Sequence, residues 1–210
     1  MLRKEGFIQP NMPNGEFVEA TKMEKVIQRM NYHDLVSYVK PSDFYHVESD
    51  INFLFDGKEN LIDEKVYSYG TRMYGGDDCS AMALNCYMNM AFLCVHFYRE
   101  ATNTIWTVEK RDLALYKIDD MINFIRFYKE QIDKEKLISI FEDLNIVYKS
   151  YYALKILSEF YGNDEVISSV LSTMVDDESF MKEIYDYQNK TFIYREERFL
   201  KAAFNVNSLQ

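Results

Sequence analysis

The chain has 210 residues, a formal net charge of −10 and 48% apolar residues. That is enough apolar content for one large core or two small ones, and the acidic balance argues against a general nucleic-acid binder, which needs a basic surface. Only 3 Pro and 7 Gly occur beside 17 Tyr and 15 Phe, which disfavours a sandwich of short strands and favours helices packed through aromatic side chains.

The N-terminus, MLRKEGFIQP, carries no apolar signal region. Residues 1–78 hold every proline and six of the seven glycines, and read as short strands joined by turns. GFIQ (6–9) and EFVEA (16–20), separated by Pro13-Asn14-Gly15, predict a hairpin. HDLVSYV (33–39) is a short element of either type. Residues 44–55 give the clearest strand. There Val47, Ser49, Ile51, Phe53 and Phe55 fall on one face, and His46, Glu48, Asp50 and Asn52 on the other, because strand side chains alternate. The first is a core face. The second is either a solvated sheet surface or half of a metal site, since hard cations such as Mg2+ take carboxylate oxygens. VYSYGTRMY (66–74) predicts another strand, and GGDD (75–78) a tight turn followed by a helix cap.

From residue 79 the pattern turns helical. Ser80 is the expected N-cap of a helix running to about 102. Residues 81–98 within it are apolar enough to suggest a membrane span, but Asn85, Asn89 and His96, followed by Arg99 and Glu100, favour a buried core helix. Further helices are predicted at 109–130, at 134–144 behind Asp133, at 147–161 ended by Gly162, at 165–173 behind Asn163 or Asp164, and at 178–188 behind Asp177. Residues 191–206 are helical or extended. The fold expected is α+β: a small, mostly antiparallel N-terminal sheet (1–78) packed on a larger C-terminal helical bundle (79–210).

The polar residues of the long apolar helix are not scattered. Asn85, Asn89, His96, Arg99 or Glu100, and Asn103 recur at steps of three, four or seven and share one face. That face is either a hydrogen-bonding stripe or one wall of a polar cleft. The segment EKRDLALYKIDD (109–120) adds Lys110, Arg111, Asp112, Lys117 and Asp120, whose cations suit phosphate. The sequence contains no GxxxxGK[ST], GxGxxG or GxSxG. His33, His46 and His96 form no HExxH or HxH cluster. Cys94 stands two positions from His96 and so on another side of the helix. The three cysteines, Cys79, Cys86 and Cys94, show no zinc-type pairing and set the expectation of a reducing, cytoplasmic location.

Taken in order, GFIQ (6–9), VESDINF (47–53), FLCVHFYREATN (92–103), RDLALYKIDD (111–120) and YYALKILSEFYG (151–162) resemble the later part of a bacterial nucleotidyltransferase-like family, whose members often occur beside peptide natural-product genes. The resemblance implies a small mixed sheet followed by a helical domain. It also implies a site in which three carboxylates hold divalent metal and position a nucleoside triphosphate for in-line transfer. Asp50 matches the third carboxylate and would be the metal ligand for Mg2+ or Mn2+, with Glu48 beside it on the same face. Arg72, His96, Arg99, Arg111 and Lys117 are the candidate phosphate or substrate contacts, chosen from charge and position.

The chain departs from the family in having no Asp-x-Asp and no Gly-Ser turn. The expectation is therefore a nucleotidyltransferase-like protein, incomplete for metal-dependent transfer on its own, that acts with a partner chain in tailoring a small molecule or peptide. The alternative is a catalytically inactive binding or scaffold module that recognises a pathway protein or peptide. Loss of the catalytic unit would leave sheet edge or apolar surface to be covered, so a homo-oligomer or hetero-complex is expected, with no nucleic acid and no membrane partner.

Overall fold

The computed structural model describes residues 2–11, 16–32, 35–42, 46–49, 63–69, 71–76, 79–108, 112–162, 164–175, 177–186, 188–196 and 198–204, without the side chains of 30–32, 63, 64, 67, 71–76 and 79–82. It is an α+β structure with small antiparallel sheets and a larger helical region. The chain divides into two compact units, Met1–Asp63 and Glu64–Gln210. That division falls ahead of the change in composition near residue 78.

In the first unit a 3-10 turn at Leu2–Glu5 leads to β1 (Pro10–Asn11), which pairs antiparallel with β2 (Val18–Glu19). The GFIQ–EFVEA hairpin forms, but with its pairing moved along the chain. Gln9 receives the Ala20 N–H at 2.7 Å, while Ile8 pairs with Val39 instead, at 2.9 and 2.7 Å. β3 (Tyr38–Lys40) then pairs antiparallel with β4 (Val47–Ser49), setting Val39 opposite Glu48. Between these pairs lies α1 (Lys22–Tyr32), a helix that periodicity did not suggest. Its start is a capping box. The Thr21 hydroxyl accepts the Glu24 N–H at 3.3 Å, and the Glu24 carboxylate accepts the Thr21 N–H at 2.7 Å.

The second unit opens with α2 (Asp63–Ser68), which begins at the division, and the hairpin β5 (Thr71–Gly76)–β6 (Cys79–Leu84). VYSYGTRMY is thus half helix and half strand, with Gly70 between the two. Gly75 and Gly76 stand opposite Ser80 and Cys79, so the glycine pair ends a hairpin strand and Ser80 lies in a strand. The long helix α3 (Cys86–Ala101) is capped by Asn85, whose side chain accepts the Met88 N–H at 3.0 Å. α4 (Thr104–Val108) and α5 (Leu115–Tyr128) follow, the latter continued by a 3-10 turn at Lys129–Gln131.

Next come α6 (Lys134–Asp143), α7 (Val147–Tyr161) and α8 (Glu165–Leu171), at the boundaries the sequence suggests. Asp133 caps α6 through the Lys136 N–H at 2.8 Å, and Asp164 caps α8 through the N–H groups of Val166 and Ile167 at 3.0 and 3.3 Å. Gly162, with φ 76°, closes α7 by donating to the Ser158 carbonyl at 2.9 Å. Asp177 accepts the Ser179 N–H at 2.9 Å, but it caps no helix: a 3-10 turn at Ser179–Lys182 follows, with Glu178 at its N-cap. The helix expected at 178–188 gives way to β7 (Glu183–Asp186), whose Ile184 and Tyr185 are residue types that favour strands. β7 pairs antiparallel with β8 (Thr191–Tyr194), and α9 (Phe199–Ala203) follows. Of the residues 191–206, Thr191–Tyr194 are therefore extended and Phe199–Ala203 helical.

The core of this unit forms where α3 meets α5, α6 and α7. Met88, Ala91, Cys94, Val95 and Phe97 of α3 are buried, as are Ile118, Met121 and Ile122 of α5 and Tyr152, Ile156 and Leu157 of α7. Tyr152 stands edge-on to Tyr98 and Phe199, with ring centroids 5.2 and 5.6 Å away. Among the described residues, no helix is long and apolar enough to cross a membrane. Removing the α8 cap with Asp164→Ala leaves two helix N–H groups without an acceptor, and should lower the unfolding free energy by about 1 kcal/mol, measured by urea denaturation.

Candidate functional site

Burial of α3 decides which of its polar residues matter. Asn85 belongs to the cap. Asn103 lies past the helix and bridges in parallel to Tyr185 of β7. Apart from Asn89 near the start of the helix, what remains of the polar face is concentrated in the last two turns, at His96, Arg99 and Glu100, three and four positions apart. Glu100 is a carboxylate with only 9% of its side chain exposed. A charge so buried needs a partner. It has two: the Lys117 ammonium from α5 contacts Oε2, and His96 Nε2 lies 3.1 Å from Oε1.

The hydrogen bonds assign the histidine tautomer. Arg99 can only donate, so its contact with His96 Nδ1 at 3.1 Å makes Nδ1 an acceptor. The proton therefore sits on Nε2 and is donated to Glu100. A neutral imidazole is also what the surroundings favour. Burial, followed by the charges of Arg99 and Lys117, depresses the His96 pKa to about 4. Phe92 stacks on the ring, 5.8 Å between centroids and 9° from parallel. Burial and the Arg99 charge also lower the Lys117 pKa to about 8, against the pull of Glu100. With Glu100 answered by Lys117, Arg99 is the surplus cation. Among the described residues it pairs with no carboxylate.

Behind this cluster lies a second buried pair that the sequence did not reveal. Arg195, next after β8, donates to Asp112 Oδ2 at 2.5 Å and to the Ala101 carbonyl at 3.2 Å. Both side chains are about nine-tenths buried. The Tyr152 hydroxyl lies under the influence of Arg195 and Asp112, its pKa pushed up first by burial. In the sequence Asp112 is one charge among several in EKRDLALYKIDD. No local spacing links it to a residue 83 positions away.

His96, Arg99 and Lys117, proposed separately from charge and position, thus meet at one place. Of the other candidates, Glu48 and Arg72 belong to strands. Glu48 belongs to the first unit, exposed on β4. Val47, expected on the core face of that strand, is 47% exposed, and His46 meets Phe17 edge-on at 5.4 Å. Arg72 lies in β5 opposite Ala83. Asp50, the proposed metal ligand, and Arg111 lie outside the described residues. Among the described residues, no three His, Cys, Asp or Glu side chains gather closely enough to hold a metal ion, and Glu48 alone is too small a donor set for Mg2+ or Mn2+. Cys94 is fully buried, and burial pushes its thiol up to about 12, which makes it inert as a nucleophile.

No family model, no curated protein and no solved structure matches this chain.

The cluster has a pH signature. The unfolded chain binds a proton at His96 below about 6.5, whereas the folded chain does so only below about 4. Stability contributed here is complete above pH 6.5 and is lost as the pH falls from 6.5 towards 4. His96→Gln should flatten that part of a plot of urea midpoint against pH. Lys117→Met strands the Glu100 carboxylate and should cost about 3 kcal/mol at pH 7, read from the same denaturation curves.

Proposed function

We propose that this chain is a nucleotidyltransferase-like protein that recognises the phosphates of a nucleoside triphosphate through the α3–α5 cluster. On this reading it is incomplete for metal-dependent transfer on its own and acts with a partner chain in tailoring a small molecule or peptide. The observation that carries the reading is the surplus Arg99 guanidinium beside Lys117, held in place by a neutral His96. A half-buried cation pair is unusual on a chain of net charge −10, and a planar guanidinium suits phosphate oxygens. A neutral histidine keeps Nδ1 as an acceptor, which aims the Arg99 fork and adds no competing charge.

The chemistry assigned to these residues is binding and orientation. Burial and the Arg99 charge lower the Lys117 pKa to about 8, which leaves the ammonium charged at neutral pH. It stays on Glu100 while the Arg99 guanidinium beside it meets an incoming phosphate. No step is routed through a metal, because the described residues do not assemble its ligands. The second reading, a binding or scaffold module for a pathway protein or peptide, draws on the missing Asp-x-Asp and Gly-Ser turn.

Titration calorimetry with ATP, GTP, CTP and UTP, each with and without Mg2+ or Mn2+, separates the two. Binding of at least one nucleotide, weakened about tenfold or more by Arg99→Gln, is the expected result. No heat with any nucleotide under any of these conditions sinks the phosphate-recognition reading and leaves the module. Nucleotide binding that Arg99→Gln leaves unchanged removes the cluster from it.

A further inference from the structure

β8 (Thr191–Tyr194) is exposed at every position, with Phe192 at 52% and Tyr194 at 65%. One edge of it pairs with β7. Among the described residues no strand pairs with the other edge. The ladder shows which backbone groups are left over. Arg195 donates its N–H to the Lys182 carbonyl at 2.8 Å, and Tyr185 turns its N–H away from β8 to the Thr102 carbonyl, also at 2.8 Å. Antiparallel pairs alternate between hydrogen-bonded and non-hydrogen-bonded. Ile184↔Ile193 is therefore a hydrogen-bonded pair, while Tyr185↔Phe192 and Glu183↔Tyr194 are not. The N–H and C=O groups of Phe192 and Tyr194 consequently point out along the open edge. Such an edge, apolar and without proline, is a template for another strand.

We propose that the occupant is a second copy of this chain, with β8 pairing antiparallel to β8 about a twofold axis through Ile193. The sequence around the strand is self-complementary in that register. Phe192 exchanges both backbone hydrogen bonds with the partner's Tyr194, and Tyr194 with the partner's Phe192. Ile193 faces the partner's Ile193 in a close, non-hydrogen-bonded pair. The same register brings Lys190, the turn residue just before β8 (φ 53°), towards the partner's Glu196, two residues past the end of its β8, at each end; the charges are unlike and both are exposed. Centring the axis on Phe192 or on Tyr194 instead loses this charge match and leaves the free groups of one aromatic residue unused. Lys190 and Glu196 form no other ion pair among the described residues. The body of the second unit holds the hairpin from the far edge, through Tyr185 and Thr102, which keeps the open edge clear for a second copy. The result is a continuous sheet in the order β7, β8, partner β8, partner β7.

Sedimentation velocity on the purified chain across micromolar concentrations tests the state, and charge reversal tests the register. The expected result is a dimer whose dissociation constant rises about fivefold or more in Lys190→Glu and in Glu196→Lys, since each puts like charges together at both ends. Combining the two reversals should restore the wild-type value. Both residues are exposed, so neither change threatens the fold. Ile193→Cys adds a direct reading, because the two Cα atoms would be about 4.5 Å apart, within disulfide reach. It should give a reducible cross-linked dimer with oxidised glutathione, and the wild-type chain should not. A monomer at every concentration, reversals that fail to compensate, or an Ile193→Cys chain that does not cross-link overturns the proposal.

Discussion

Helix α3 is buried along its length, with Met88, Ala91 and Cys94 wholly inaccessible, and yet its last two turns carry His96, Arg99 and Glu100. Apolar burial on that scale is the main stabilisation of the second unit. It also carries a carboxylate inside, where an unpaired charge would cost several kcal/mol. Lys117 answers it from α5. With Lys117 directed at Glu100, Ile118, Met121, Ile122 and Ile125 fall on the buried side of α5. The core and the polar cluster are therefore one arrangement: the helix that makes the core carries the cluster's carboxylate inside with it.

The same constraint explains why the histidine is neutral. A protonated His96 would face two cations, Arg99 and Lys117, in a site already short of water. Holding it neutral leaves a donor at Nε2 for Glu100 and an acceptor at Nδ1 for Arg99. The ring becomes a spacer that keeps carboxylate and guanidinium apart. Glu100 cannot then neutralise both cations, and Arg99 retains its charge for something outside the cluster.

Much of the helical unit was legible because its signals are local. Asp133, Asp164 and Gly162 mark helix ends by what their own side chain or backbone can do, and they do so in the structure. Thr21 and Glu24 spell a capping box, legible in principle, but α1 lacks the apolar run that draws attention to a helix. Ser80 failed as a cap because the strand beside it, β5, offered its backbone a ladder instead. The convergence of His96, Arg99 and Lys117 was legible only in part. Spacing put the first two on one face, whereas Lys117 arrives from another helix. The Asp112–Arg195 pair had no local signal. Asp50 lies outside the described residues, so the question raised by the strand VESDINF stays with Glu48, a lone exposed carboxylate on β4.

Asp112 and Arg195 join the interior to the exposed hairpin. Arg195 directly follows β8, and its guanidinium is anchored on Asp112 and on the carbonyl of Ala101, the last residue of α3. Its own backbone N–H closes the ladder on Lys182. Phe199, the first residue of α9, lies beneath the same guanidinium at 5.8 Å and packs on Tyr152. The end of β8 is thus held by a buried ion pair, a ladder hydrogen bond and an aromatic contact, while the strand itself is exposed. An isolated two-stranded hairpin is marginal in water. This one is held by what it is tied to, so a second strand would add to its open edge without the entropy cost of ordering a loop.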